Sequence, residues 1–431
     1  MLLRIATQRM MPRLLRRRAA RIERTIPNLG VQVLGARRTL HTPPSISPLV
    51  GLDEDGAAMY EVARAFSDNE LAPHAARWDE EELFPVDTLR QAASLGFAGL
   101  FVAPEHGGSG VSRLHGALVF EALATGCVST AAYLTIHNMV GWMIGTFGTD
   151  EQKSRFLPKL CTMEALGSYC LTEANAGSDA GSLRTRADRC PGGGGYRLNG
   201  EKVFISGGGA TDLYIVMART GPAGGGPEGV TAFLVERGTE GLSFGAKERK
   251  LGWRNQPTTT VVLEDAVVPE ENRLGAEGEG FKIAMRGLDG GRISIGTTSV
   301  GGAAACLDQA RAYIKERHQF GRPLAANQHL QFRLADMASQ LVASRLMIRH
   351  AAALLDAQDP AAREACAMAK RFATDNCFEV VDYALQMHGG YGYLRDYPAE
   401  RFLRDTRVNR ILEGTNEVMR LIVSRALLAD H

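Results

Sequence analysis

The hydrophobic period of this chain changes twice, and that constrains its fold more than any single residue does. From 50 to 165 apolar residues recur every three or four positions, so that Met59, Val62, Ala63 and Phe66 would share one helical face. From 166 to 278 the pattern shortens to runs such as YRLNGEKVFIS, DLYIVMA, VTAFLVE and TTTVVLEDAVV, rich in β-branched residues and bounded by Gly, Pro and Asp. PGGGG at 191–195 and GPAGGGPEG at 221–229 read as turns between these strands. From 279 to 431 the helical period returns. ASQLVASRLMIRHAAALL is one long apolar-faced helix, and Asp359-Pro360 reads as the N-cap and first residue of another that Gly389-Gly390 would stop. Helices, then strands, then helices, each in a block, predict segregated α and β domains rather than alternating βαβ units. GGGPEG at 224–229 satisfies G-x-G-x-x-G literally, but it contains Pro227 and leads into a β-type run, which argues against a dinucleotide turn.

The front of the chain is different in kind. Residues 1–42 hold ten Arg, no Lys and one acid, Glu23, with apolar residues between them. An Arg-rich, acid-poor, amphipathic start reads as a mitochondrial transit peptide. That segment carries +9 and the whole chain +1, which leaves the remainder near −8, a poor partner for nucleic acid. A 45% hydrophobic, 23% charged composition is that of a soluble globular chain, and no apolar run is long enough to span a membrane. The seven Cys are scattered without a CxxC or a zinc-ligand spacing, so they read as free thiols and no metal site is expected. The acidic run at 79–82 reads as a solvated face.

Chemistry is concentrated in a few short stretches. YCLTEANAGSD (169–179) places Tyr169, Cys170, Leu171 and Thr172 at a strand end before a small-residue loop that would expose N–H groups and the Ser178 hydroxyl. KVFISGGG (202–209) offers the Phe204 ring for stacking, with Ile205 and the Ser206 hydroxyl beside it. LDGGRIS (288–294) carries Arg292, suited to a phosphate or carboxylate, or to a surface ion pair. ERHQFGRPL (316–324) and QMHGGYGY (386–393) offer Arg317 and the main chain of Gly389 and Gly390 to a pyrophosphate. ILEGTNEVM (411–419) sets Glu413 after an aliphatic pair, with Thr415 placed to cap a helix from Asn416, so that the carboxylate can point inward.

In this order and spacing, over residues 50 to 430, these stretches resemble the acyl-CoA dehydrogenase family of flavoproteins. Runs such as ELFPVD, FEALATGC, IHNM, LCTME, GLSFG and LQFRLADMA strengthen the likeness and point to members acting on short branched acyl groups. The resemblance implies an α+β multidomain fold: an N-terminal helical domain, a middle β-barrel or sandwich domain, and a C-terminal four-helix bundle. It implies FAD, with Tyr169, Cys170, Leu171, Thr172, Phe204, Ile205 and Ser206 along the flavin ring. Arg317, Gln319, Gln386, Met387, His388, Gly389 and Gly390 would serve the diphosphate and adenosine, partly across a subunit interface, with Thr415 and Glu417 as further contacts. Ser178 and Asp289, Gly290, Gly291 and Arg292 would meet the acyl-CoA. Glu413 matches the base that takes the proton α to the thioester. In a minority of the family a Glu directly preceding the Arg292 position does this instead, and here that place is Gly291. The implied reaction is the α,β-dehydrogenation of isobutyryl-CoA in valine catabolism, with 2-methylbutyryl-CoA or a short straight-chain ester as alternatives, or a silent member acting as a binding subunit. A homotetramer in the mitochondrial matrix, passing electrons to electron-transferring flavoprotein, completes the expectation.

Overall fold

The computed structural model describes residues 46–222 and 224–429; the leader expected over 1–42 lies outside them. Helices α1 (Glu54–Phe66), α2 (Ala75–Glu80), α3 (Val86–Ser94), α4 (Arg113–Ala124), α5 (Val128–Phe147) and α6 (Asp150–Thr162) come first. Their starts are written in the sequence. The Ser112 hydroxyl accepts from the His115 N–H at 3.2 Å, and Thr149 and Gln152 form a reciprocal capping box. Helix α5 is apolar on almost every side because it runs through the interior, between the strands and the C-terminal helices.

Eight strands follow: β1 (Gly167–Cys170), β2 (Arg186–Arg189), β3 (Gly195–Ser206), β4 (Leu213–Arg219), β5 (Val230–Glu236), β6 (Leu242–Phe244), β7 (Thr258–Pro269) and β8 (Arg273–Leu274). They form one sheet in the order β6-β7-β3-β2-β4-β5-β8, with β1 beside β4. Every pairing is antiparallel except those of β4 with β1 and β2. All seven residues of β4 are buried. Its Leu213, Ile215 and Met217 join a core with Met143 and Leu157 of the helices, while Tyr214, Val216 and Ala218 meet Tyr196 and Val261 from β3 and β7. A strand covered on both faces reads as a continuous apolar run, which is how DLYIVMA reads. GGGPEG ends in a short 3-10 turn, Pro227–Gly229, that leads directly into β5.

The last block holds α7 (Gly280–Glu316), α8 (Gln328–Asp356), α9 (Ala362–His388), α10 (Ala399–Arg407) and α11 (Asn416–Leu427), with a hairpin of β9 (His318–Gln319) and β10 (Arg322–Pro323) after α7. Helices α7, α8 and α9 pack on one another and α11 packs on α9. Helix α7 also touches α4, α5 and β5, so one element joins all three blocks. A side chain at Gly301 would collide with the Glu121 carbonyl of α4, so glycine lets the two helices approach there. Beside that contact Arg345 of α8 pairs with Glu121 at 2.8 Å, both buried.

Two local expectations change. Asp359-Pro360 does not begin α9: the Asp359 carboxylate accepts from the Ala361 N–H at 2.8 Å, closing a turn, and the helix starts at Ala362. Asp79 is not solvated. It is buried and takes two hydrogen bonds, at 3.0 and 2.7 Å, from the guanidinium of Arg404 on α10.

The loop after β1 is fixed to β3 by a buried ion pair. Lys202 Nζ lies 2.7 Å from Glu173 and donates to the Leu171 carbonyl at 3.0 Å. Glu173 also accepts from the N–H groups of Arg184 and Thr185. Lys202→Met leaves a buried carboxylate without its cation, so urea unfolding should show a stability loss of about 3–5 kcal/mol.

Candidate active site

Glu413 sits in the short connection before α11. Leu412 and Val408 anchor that connection against Trp253, Ala132 and Ile295. Glu413 and Gly414 both turn left-handed, at φ +59° and +89°. For a residue with a side chain this costs about 1–2 kcal/mol, so neighbouring contacts must hold it. They come from two helices. Arg292 Nε of α7 donates to the Glu413 carbonyl at 3.3 Å, and Lys370 Nζ of α9 donates to the Gly414 carbonyl at 2.8 Å. Thr415 caps α11 by accepting from the Val418 N–H at 3.3 Å, as its place in the sequence predicts. The Asn416 amide exchanges hydrogen bonds with Thr374 and donates to Asp375.

The turn aims the Glu413 carboxylate at the Cα of Gly291. A side chain at 291 would overlap both carboxylate oxygens. The Oε2 atom is buried and has no hydrogen-bond partner. Burial pushes the carboxyl up to about 7, against the pull of Arg292 and Lys370. Burial likewise pulls Lys370 down to about 8, partly offset by Glu413. The Tyr169 hydroxyl, also buried and unpartnered, is raised by burial and then by the charge of Glu413. A half-buried carboxylate with one oxygen shut off from water and without a hydrogen bond is suited to accept a proton there.

Beside this group, the two strand ends singled out in the sequence come together. The Val203 N–H donates to the Thr172 carbonyl at 2.9 Å, and the Ser168 hydroxyl donates to the Ser206 carbonyl at 2.6 Å. The β3–β7 ladder slips between Lys202 and Ile205, and Phe204 stands in that bulge at φ +60°. Ile205 turns into the core while Phe204 is 67% exposed. A bulky residue held left-handed with a bare ring is a strained platform, and it suits stacking by a planar ring such as that of a flavin. Leu171 is buried and Thr172 half-buried. The Cys170 side chain lies in the core with Tyr196 and Val216, so only its main chain is available to a ligand.

Arg292 is not a surface ion pair. It is 4% exposed, and besides the Glu413 carbonyl its Nη1 donates to Asp289 at 2.7 Å. Ser178 lies on an exposed loop, and Glu417 is exposed in the first turn of α11.

A second cluster forms where α7 and α9 end. A cleft of about 490 Å³ is lined by Arg317, Gln319 and Gln386 to Gly390, so distant stretches of sequence converge there. Arg317 lies over the Tyr391 ring, 5.5 Å from its centre, without a carboxylate partner among the described residues. Gly389, at φ +59°, ends α9. Met387 and His388 are buried; the His388 ring donates from Nδ1 to the Ala384 carbonyl at 2.7 Å and packs on Tyr313 and Tyr397. Arg292 and Arg317 are separated along α7 by ~37 Å at the helical rise.

Lys370 belongs to the surroundings of Glu413 yet carries no motif. Its one signal is a lysine on the small-residue face of ACAMAKRFATDNC, the face that α9 buries.

Three family models match the chain in order: "Acyl-CoA dehydrogenase, N-terminal domain" over residues 53–164, the "middle domain" over 168–266 and the "C-terminal domain" over 278–428. The chain is 56% identical to the mitochondrial isobutyryl-CoA dehydrogenase of Bos taurus over 396 residues, 92% of this chain and 94% of that one. Butyryl-CoA dehydrogenase from Megasphaera elsdenii superposes with a TM-score of 0.85 at 40% identity, covering 88% of this chain and 99% of that one. The FAD complex of PigA superposes at 0.84 with 31% identity, covering 87% and 98%.

Gly291→Ala tests the geometry of the Glu413 carboxylate. The added methyl must displace the Glu413 carboxylate, so turnover of an acyl-CoA should fall about 100-fold or more while circular dichroism is unchanged.

Proposed function

The chain belongs to the acyl-CoA dehydrogenase family, and from that premise we propose that it oxidises isobutyryl-CoA to methacrylyl-CoA with Glu413 as the base. The observation that carries the reading is the buried, unpartnered Oε2 of Glu413 beside Gly291. Identity of 56% to an isobutyryl-CoA dehydrogenase supports the choice of acyl group. The cofactor is FAD, which when bound supplies a hydride acceptor for the β-carbon.

The chain's own residues do the rest. The Cα–H bond of the thioester breaks, the proton goes to Glu413, and the electron pair left behind spreads onto the thioester oxygen. Desolvation makes the carboxylate a stronger base than a solvated one, at the cost of being protonated below about pH 7. Phe204 would offer its ring to the flavin, and Tyr169, Cys170 through its main chain, Leu171, Thr172, Ile205 and Ser206 would help to hold it. Ser178, Asp289 and Gly290 meet the CoA part of the substrate, while Gly291 leaves room for the base and Arg292 holds its turn.

The diphosphate and adenosine fall to Arg317, Gln319 and the run from Gln386 to Gly390, with Thr415 and Glu417 as further contacts. Arg292 and Arg317 lie ~37 Å apart along α7, which supports the clusters that serve one FAD coming from two copies of the chain. The wholly exposed Phe320 at the hairpin beside the cleft, with exposed Tyr393 and Leu394, supplies apolar surface for that contact. We assign a homotetramer in the mitochondrial matrix, passing its electrons to electron-transferring flavoprotein.

Anaerobic titration with isobutyryl-, 2-methylbutyryl-, butyryl- and isovaleryl-CoA tests the substrate. The visible flavin band should bleach fastest with isobutyryl-CoA, and preference for another ester would move the pathway while keeping the mechanism. Glu413→Gln should retain FAD and lose turnover; continued bleaching in that variant would sink the assignment of the base.

A further inference from the structure

We propose that Lys370 is a positioning residue for this base: its ammonium fixes the turn that aims Glu413, and its charge sets the pH at which the carboxylate becomes competent. The inference rests on the reading of Glu413 as the base.

The side chain is 0% exposed, on the buried face of α9. Buried lysines are ordinarily paired with a carboxylate, because an isolated ammonium is costly to dehydrate. Among the described residues Lys370 has no ion-pair partner. Its hydrogen bonds go to two neutral oxygens, the Gly414 carbonyl at 2.8 Å and Asn416 Oδ1 at 2.9 Å. Both acceptors flank the strained turn that carries Glu413. A neutral donor could fix the same carbonyl, so the charge needs its own explanation.

That explanation lies in what faces the carboxylate. From α7 comes Arg292, already matched by Asp289 at 2.7 Å. From β1 comes the neutral Tyr169 hydroxyl. From α11 Glu417 points to solvent, toward Arg420. From α9, beyond Lys370, Asp375 is surrounded by Arg371, Arg410 and Arg420. Lys370 is therefore the cation near Glu413 without a counter-ion of its own. Burial drives the Glu413 carboxyl upward, and the ammonium opposes that rise. The sign follows: removing the charge raises the carboxyl further, and the acid limb of the turnover profile moves to higher pH. Above about 8 the wild-type lysine loses its own proton and with it this pull, but the carboxylate is already ionised there.

The test compares holoenzyme variants by their pH profiles of kcat and KM for isobutyryl-CoA, with FAD content and melting temperature as controls. Lys370→Gln keeps a donor for the Gly414 carbonyl and removes the charge. Its acid limb should move up by about one pH unit, a tenfold loss in the limb, with kcat largely recovered on the alkaline plateau and KM little changed. Lys370→Met removes charge and donor, so the same shift should come with a lower plateau. If Lys370→Met does not fold, Lys370→Gln alone decides. An acid limb that stays in place in Lys370→Gln, with kcat unchanged or lowered evenly at every pH, overturns the proposal. Turnover surviving in Glu413→Gln would instead remove the base reading beneath it, so the two failures are distinguishable.

Discussion

The dehydration of one carboxylate organises this molecule. As the proposed base Glu413 depends on Oε2 being kept from water, in a left-handed turn that holds the carboxylate against bare backbone at Gly291. Neither condition is locally favourable. An ionised group resists burial and a glutamate resists that conformation, so both must be imposed by parts of the chain far away in sequence. Arg292 and Lys370, from two helices, hold the two carbonyls of the turn and bring positive charge close to the carboxylate they position. The same contacts therefore fix direction and moderate the electrostatic cost.

The architecture follows from that need. Helix α7 brings Arg292 and Gly291 to the base, packs on the helices in front of it and on the strands, and ends beside the cleft that holds Arg317. The strands contribute a bulged Phe204 on a junction tied down by Lys202 and Glu173. Strain at Phe204 is held by the β3–β7 pairing on either side of the bulge, and strain at Glu413 by the hydrogen bonds from Arg292 and Lys370. In the proposed reaction Phe204 would serve the flavin and Glu413 the thioester, the two sides that α,β-dehydrogenation requires.

The sequence reveals most of this and hides a definable remainder. Block periodicity carries the three-part fold, because 3.6-residue and two-residue repeats are local. Thr415 and the glycines at 389–390 are legible because caps and stops are also local. What fails is what depends on distant partners. Asp79 reads as solvated until Arg404 arrives from α10, and Arg292 reads equally as a ligand cation or a surface ion pair until the turn of Glu413 folds over it. The burial of the Cys170 side chain depends on which face of β1 meets the folded sheet. Lys370 is illegible for the same reason, since nothing within its own helix marks it as the neighbour of a carboxylate 43 positions away.

Burial of its Oε2 is what should make Glu413 titrate near neutrality. Difference infrared spectroscopy of wild type against Glu413→Gln holoenzyme, followed across pH, isolates the carboxylic-acid stretch of this one residue. The account predicts that the protonated band disappears with a midpoint of about 7. A midpoint near the ordinary glutamate value of 4.5 would contradict it, since a carboxylate titrating there is solvated and Glu413 would not be the desolvated base described.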